Sequence, residues 1–395
     1  MCWTAKGIGV NWGTTASHPL PPPKAVELLK TNNISKVKLF DADPLVLQAL
    51  SGSNIGVTVG IPNSMLKTLN SSKKAADSWV HDNVTRYFSA GTTGVRIQYV
   101  AVGDEPFHQS YGEQFHPFVI GTAINIQSAL TRASLAGQIK VVIPCSYDTF
   151  HFDLSYDTLA TALSMVGFPD MNIVISKIGW PTDGAANATS PLAETFMKGL
   201  MYHLRSRLGT PLRPQNPPIE TYIFSLLDEN QRSIATGNFE RHWGVFTFDG
   251  QAKYHIDFGQ GLKNPMNAQN VEYLPSKWCV VNNNQDLSNA TASALDACSV
   301  ADCTALSPGG SCFNISWPGN ISYAFNSYYQ QHDQRAESCD FGGLGLVTTI
   351  DPSVGNCRFP IEIKASHAHS LSGTDLFQWM VLLLLNAYFF LLHFT

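Results

Sequence analysis

Positive charge is scarce in this chain: 25 Lys and Arg stand against 30 Asp and Glu in 395 residues, charged side chains make up only 14%, and no basic run occurs. That composition leaves nucleic-acid binding without an electrostatic footprint. A phosphate-cradling glycine loop is also lacking. The nearest pattern, Gly7-x-Gly9-x-x-x-Gly13, has the wrong spacing and runs into a proline-rich loop, which argues against a dinucleotide fold. Cysteine is nearly absent from the first 278 residues, where only Cys2 and Cys145 occur. Close Cys pairs and His pairs at ligand spacing are wanting too, so neither a metal site nor a cofactor is expected.

What is present is unevenly distributed. Six cysteines, Cys279, Cys298, Cys303, Cys312, Cys339 and Cys357, crowd into one short stretch and read as a disulfide framework whose pairing the sequence leaves open. Disulfides imply an oxidising compartment, and sequons at Asn33, Asn70, Asn83, Asn187, Asn289, Asn314 and Asn320 agree with one. The C-terminus closes on an apolar, uncharged run over 376–395 with no Lys or Arg after it, preceded by a polar stretch of small residues. This pattern fits a glycolipid-anchor signal better than a membrane helix, and places the chain at the extracellular face of the plasma membrane. The opening MCWTAK leaves no room for an apolar leader, so a truncated start is expected.

Residues 1–258 alternate short β-rich runs with helical stretches. The strand candidates are Gly7–Asn11, Val37–Phe40, Ile55–Ile61, Val95–Val102, Lys140–Ile143, Asn172–Ile178 and Thr221–Leu227. Helices are expected over Pro23–Thr31, Ala75–Ala90, Phe115–Ala136, Tyr156–Val166 and Pro191–Arg207. Polar or aromatic residues sit at the strand C-termini, as in a (β/α)8 barrel, with a doubly wound sheet as the alternative. The count, however, is seven. The interval from Glu105 to Lys177 is shorter than the about 90 residues that three βα units occupy in a barrel. One strand is therefore expected to be lacking. Residues 259–277 read as a polar linker, 278–359 as the small cysteine domain, and 360–395 as the anchor signal or hydrophobic tail.

Within this frame, Glu105 in AVGDEPF ends an apolar strand and would look into the barrel mouth as an acid. In order, GIGVNWG, VKLFDADP, VTVGIPN, VGDEPF, IGWPTDG, FSLLDENQRS and FERHWGVFTFDG resemble the plant glucan endo-1,3-β-glucosidases of glycoside hydrolase family 17. The cysteine region, with WCVVNN, ACSVADC and GGSCFNISW, resembles carbohydrate-binding module family 43. The resemblance implies a (β/α)8 barrel, a retaining attack on β-1,3-glucan, a glucan-binding module, a lipid anchor at the cell wall, and a chain acting as a monomer. By position Glu105 matches the proton donor, Glu229 and Arg232 match an accessory acidic–basic pair, and Phe40, Asp104, Trp180 and Phe224 line the sugar cleft. Lys177 stands where the family carries its nucleophilic glutamate. Asp104 replaces an asparagine, turning an amide donor into an acceptor. An ammonium cannot form the glycosyl ester that a retaining enzyme needs, so impaired hydrolysis is expected, with a non-catalytic glucan-binding protein as the alternative. An inverting route would need Glu229 or Asp183 as base. In the small domain, Trp317, Tyr323, Phe325, Tyr328 and Tyr329 divide between sugar stacking and the core that so small a domain requires.

Overall fold

The computed structural model describes residues 7–88, 93–145, 152–206, 208–214, 219–261 and 263–364. Cys2 and the apolar run 376–395 lie outside them. Chain order begins with β1 (Ile8–Trp12), α1 (Pro22–Thr31), β2 (Lys36–Leu39), α2 (Pro44–Leu50), β3 (Gly56–Ile61), α3 (Leu66–Ser71), α4 (Lys73–Val80), β4 (Arg96–Val102), α5 (His116–Arg132) and β5 (Lys140–Val142). It continues with α6 (Phe152–Met165), β6 (Ile175–Ile178), α7 (Ser190–Ser206), the short pair β7 (Gly209–Thr210) and β8 (Arg213–Pro214), and β9 (Thr221–Ile223). All seven expected strands are found, together with the five expected helices.

Seven parallel strands form one sheet in the order β5-β4-β3-β2-β1-β9-β6. Its central strands read as near-continuous apolar runs because helices cover their outer face; every residue of β1 and β3 is buried. The sheet curls. Thr58 on β3 reaches Tyr222 on β9 at 3.4 Å, and Lys177 on β6 reaches Glu105 just beyond β4 at 2.8 Å, contacts that span the lumen. Among the described residues, no strand lies between β5 and β6, so this barrel is open at one seam. A cavity of about 560 Å3 occupies that seam, lined among others by Val141, Ile143, Ser176, Leu159 and Leu163. Facing it, α6 buries only Asp157 and Ala160 and leaves Leu154, Leu159 and Met165 exposed, as a helix does when the strand it should cover is gone. Asp157 anchors the β7–β8 turn instead, accepting from Thr210 Oγ1 at 2.5 Å, Leu212 N at 3.0 Å and Arg213 Nη1 at 3.2 Å.

Two short helices were not expected. Asp43 accepts from Leu45 N at 2.7 Å and Val46 N at 3.2 Å, and Pro44 opens α2 at the position where a missing N–H is harmless. Residues 259–277, read from composition as a linker, lie strapped to the barrel: Asn32 exchanges hydrogen bonds with the Met266 backbone at 2.7 and 2.9 Å, and Ala268 N donates to Gly250 O at 2.8 Å.

The cysteine domain is built on the antiparallel pair β10 (Trp278–Val281) and β11 (Gly345–Thr348), with α9 (Gly319–Gln331) packed against β10 and α8 (Ala290–Val300) packed on α9. Cys279–Cys339, Cys298–Cys303 and Cys312–Cys357 are the disulfides. Buried Asn326 and Gln330 on α9 hold the segment entering β10, accepting from Cys279 N at 3.3 Å and donating to Lys277 O at 2.8 Å. Of the candidate stacking aromatics, Tyr323, Phe325 and Tyr329 belong to the core, Tyr328 is half-buried against His332 and Phe341, and Trp317 is 57% exposed.

Candidate functional site

The site lies where the strands end. β4 is followed by a turn in which Gly103 has φ +79°, open to glycine, and Glu105 is itself held at φ +46°, a conformation that a side chain tolerates only where its surroundings enforce it. The enforcement comes from Asn63, just past β3. Its amide donates to Asp104 O at 3.0 Å and its carbonyl accepts from Asp104 N at 2.9 Å. At 0% exposure, Asn11 on β1 donates to Ser176 O at 3.0 Å and Ile223 O at 3.2 Å, fixing β6 and β9 beside it.

Lys177 projects from β6 into this turn. Its ammonium donates to Glu105 Oε2 at 2.8 Å and Asp104 Oδ2 at 2.9 Å, and lies 5.2 Å from the Phe40 ring and 5.5 Å from the Phe224 ring. A second cation, Lys38 on β2, sits 3.4 Å from Asp104 Oδ1 and 4.2 Å over Phe40. Two ammonium groups thus face two carboxylates. Burial drives the Lys38 pKa down to about 8, against the pull of Asp104. Burial alone would raise Asp104, but Lys38 and Lys177 outweigh it and hold the carboxyl at about 2. For Lys177 burial acts downward, yet Asp104 and Glu105 more than offset it, so its pKa is raised and the amine is cationic throughout the neutral range.

The accessory pair lies at the other side of the mouth. Glu229 is buried over Gly13, where a Cβ would come within 2.2 Å of its carboxylate; it accepts from Thr15 N at 3.0 Å and lies 3.6 Å from Arg232 Nη1. Arg232 covers the Phe224 ring at 4.7 Å and donates to Glu240 Oε2 at 3.1 Å, an oxygen that also takes the Trp243 indole N–H at 3.3 Å. Phe224 meets Phe40 edge-on at 6.2 Å and Trp243 at 5.4 Å. The structure therefore brings together Glu105, Lys177, Asp104, Phe40, Phe224 and Arg232. Trp180 stands aside: its ring packs on Phe196 of α7 and its N–H goes to Asn187 O at 2.8 Å. Asp183 accepts from Ser311 N at 2.7 Å and Ser311 Oγ at 2.5 Å, in the small domain. Lys38, Asn63, Glu240 and Trp243 were not singled out from the sequence; the signal for Lys38 was a charge inside an otherwise buried strand.

The chain matches glycosyl hydrolases family 17 over residues 8–153 and 145–258, two stretches that overlap in sequence between β5 and α6, and the X8 domain over 277–346. It is 56% identical to Glucan endo-1,3-beta-glucosidase 9 of Arabidopsis thaliana, across 96% of this chain and 94% of that protein. Glucan endo-1,3-beta-glucosidase 8 of the same plant is 41% identical across 93% and 91%. The first of these alignments runs over 454 positions, longer than the chain itself, so the relative carries internal segments with no counterpart here. Among solved structures, CJP38, a beta-1,3-glucanase and allergen of Cryptomeria japonica pollen, superposes with a TM-score of 0.60 at 28% identity, over 65% of this chain and 100% of that one. With its parallel barrel strands, its X8 domain and these relatives, the chain belongs to glycosyl hydrolases family 17.

Proposed function

We propose that this protein recognises β-1,3-glucan of the cell wall through its barrel mouth and its X8 domain, and that its hydrolytic centre is disabled. One observation carries the reading: the Lys177 ammonium is bonded to Glu105 and Asp104 together, at 2.8 and 2.9 Å. Glycosidic cleavage by the retaining route needs a protonated acid and, about 5 Å away, a carboxylate that attacks the anomeric carbon. An ammonium in that second place forms no ester and opposes the positive charge that develops on the sugar. It also engages Oε2 of Glu105, the carboxyl that would serve as the acid. Neither of the two candidate bases is free to serve an inverting route, because Glu229 is buried between Thr15 N and Arg232, and Asp183 is committed to Ser311. Recognition survives this chemistry. Half-buried Phe40 and Trp243 offer aromatic surface at the mouth, with Phe224 packed beneath them, and exposed Trp317 offers another ring on the X8 domain. The apolar run 376–395 supports attachment to the outer face of the membrane by a lipid, which would keep the protein at the wall.

A working glucan endo-1,3-β-glucosidase is the second reading, favoured by the names of the relatives that match nearly the whole chain. Incubation with a soluble β-1,3-glucan separates the two. Retention on insoluble glucan with no new reducing ends supports the binding role. Sustained release of oligosaccharides by the Lys177 protein establishes the hydrolase and ends the first reading.

A further inference from the structure

The segment Glu229-Asn230-Gln231-Arg232 divides its side chains between two tasks. Glu229, buried over Gly13, and Arg232, over the Phe224 ring, form the floor on one side of the barrel mouth. Asn230 Nδ2 donates to Glu362 Oε1 at 3.0 Å, in the segment that follows the X8 domain, and Gln231 Nε2 donates to Gln331 Oε1 at 2.9 Å, within it. The loop after β1 is interleaved with this segment. Thr15 N donates to Glu229 and Thr15 O accepts from Gln231 N at 3.1 Å, while Ser17 N donates to Asn230 Oδ1 at 2.9 Å. The next residue, His18, places Nε2 3.0 Å from Asp333 Oδ1 and Nδ1 3.9 Å from Glu362 Oε2. On the other flank Arg241 Nε donates to Arg232 O at 3.0 Å, Arg241 O accepts from Glu229 N at 3.2 Å, and Arg241 Nη1 reaches Asp302 Oδ1 at 3.1 Å. Asn238 to Ser307 and His242 to Thr304, each at 2.6 Å, add two more fixings. His18 and Glu362 are both buried, so water is shut out of the middle of this junction.

The geometry points to a second role for the X8 domain: docked through Asn230, Gln231 and Arg241, it positions Glu229 and Arg232 at the barrel mouth, so that the cleft's grip on a short glucan depends on module residues that never touch the sugar. Asn230, Gln231, Arg241, Asp302 and Gln331 are positioning residues in this account. A tethered binding domain would need none of these bonds; here the same few residues that hold the module also hold the backbone of the cleft loop. The inference rests on the reading of the barrel mouth as a glucan site, and its test is built to fail separately.

The full chain is compared with the variant carrying Asp302→Asn and Gln331→Ala, both changes in the X8 domain. Asp302→Asn keeps an oxygen for Thr304 N and removes the charge facing Arg241. Two quantities are read: affinity for a trisaccharide of β-1,3-linked glucose, too short to bridge both domains, and hydrogen exchange of the backbone amides. Coupling predicts trisaccharide binding weakened by roughly 2- to 30-fold and faster exchange at Glu229 and Arg232, with β1 to β4 unchanged. Wild-type exchange across 229–243 overturns the inference. If the unmodified protein does not bind the trisaccharide at all, the glucan reading of the cleft fails and the exchange measurement still decides the coupling. Should the double variant lose protection in α9, Gln331→Ala alone is read the same way.

Discussion

Replacing Lys177 by Met keeps most of the aliphatic stem and deletes the charge that binds Asp104 and Glu105. The structure sets the size of the loss. Asp104 is held at about 2 against an ordinary 3.8, by Lys38 and Lys177 acting against burial. That interval corresponds to about 2 kcal/mol, the net left after the two lysines have offset the cost of burial. The bond to Glu105 adds to it, and breaking a buried pair by removing one partner costs about 3–5 kcal/mol. Both carboxylates keep a quarter or more of their surface in water and Lys38 stays on Asp104, so the low end applies: a loss of about 3 kcal/mol at pH 7. The sign of the pH dependence follows from linkage. A carboxyl whose pKa is depressed in the folded state stabilises the fold above its ordinary pKa, and that contribution disappears as pH falls from about 3.8 towards about 2. The deficit of Lys177→Met should therefore be full at pH 7 and 5 and shrink steadily below pH 4. Urea unfolding followed by tryptophan fluorescence at pH 7, 5, 4 and 3 measures it. Equal stability at pH 7, or a difference that does not change with pH, would show that the ammonium is not held as the ion-pair geometry requires.

Three further outcomes are expected. Lys177→Glu places a third carboxylate beside Asp104 and Glu105, where like charges about 4 Å apart repel by about 4 kcal/mol at an effective dielectric of about 20; its melting temperature at pH 7 should fall below that of Lys177→Met, and adding Asp104→Asn should recover part of the loss. Glu362 is pushed by burial up to about 8 from an ordinary 4.5, among His18, Asp333, Asp249 and Asp302, so the folded state holds its proton and stability should decline as pH rises from about 4.5 to about 8. Glu362→Gln should flatten that decline in melting curves taken across the interval. Trp317→Ala should leave stability within about 0.5 kcal/mol, as surface changes do, while reducing retention on insoluble glucan; Phe325→Ala, at the stacked centre of the X8 core, should lower the melting temperature steeply.

The strands were legible because each is a short apolar run, rich in β-branched residues and closed by a polar residue, an aromatic, a glycine or a proline, and such runs have few alternatives once a parallel sheet is accepted. The strand absent among the described residues was legible too, as a deficit of chain between Glu105 and Lys177. What composition hides is where a polar residue points. Lys38 reads as one lysine in a half-polar stretch, yet the lumen buries it on Phe40 and Asp104. Residues 259–277 look like a linker because they are polar and glycine-bearing, while their attachment is made by backbone groups to Asn32 and Gly250 that no side-chain pattern announces. Helix α2 fell below the length at which periodicity speaks, and only Asp43-Pro44 marked it. Aromatics of the X8 domain could be counted but not assigned, since stacking on sugar and filling a small core ask for the same residues.

An open seam in a barrel poses a physical problem that the lumen answers. Among the described residues β5 and β6 each present an unpaired edge, and a sheet with two free edges has no reason of its own to stay curled. Here the curl is held by bonds across the interior. Glu220, just before β9, takes Lys36 of β2 at 2.8 Å, Tyr222 of β9 at 3.0 Å and Tyr99 of β4 at 3.3 Å; Thr58 meets Tyr222; and Lys177 on the β6 edge ties to the turn after β4. A glutamate at 177 would repel that turn, whereas a lysine draws it in. An open seam among the described residues and a cation at 177 are thus compatible in one molecule: Lys177 ties the β6 edge to the turn after β4 and so helps hold the two halves of the sheet together. On this account Lys177→Met should increase exchange of the β6 amides more than those of β1 to β3, and uniform exchange across the sheet would separate the lysine from the integrity of the seam.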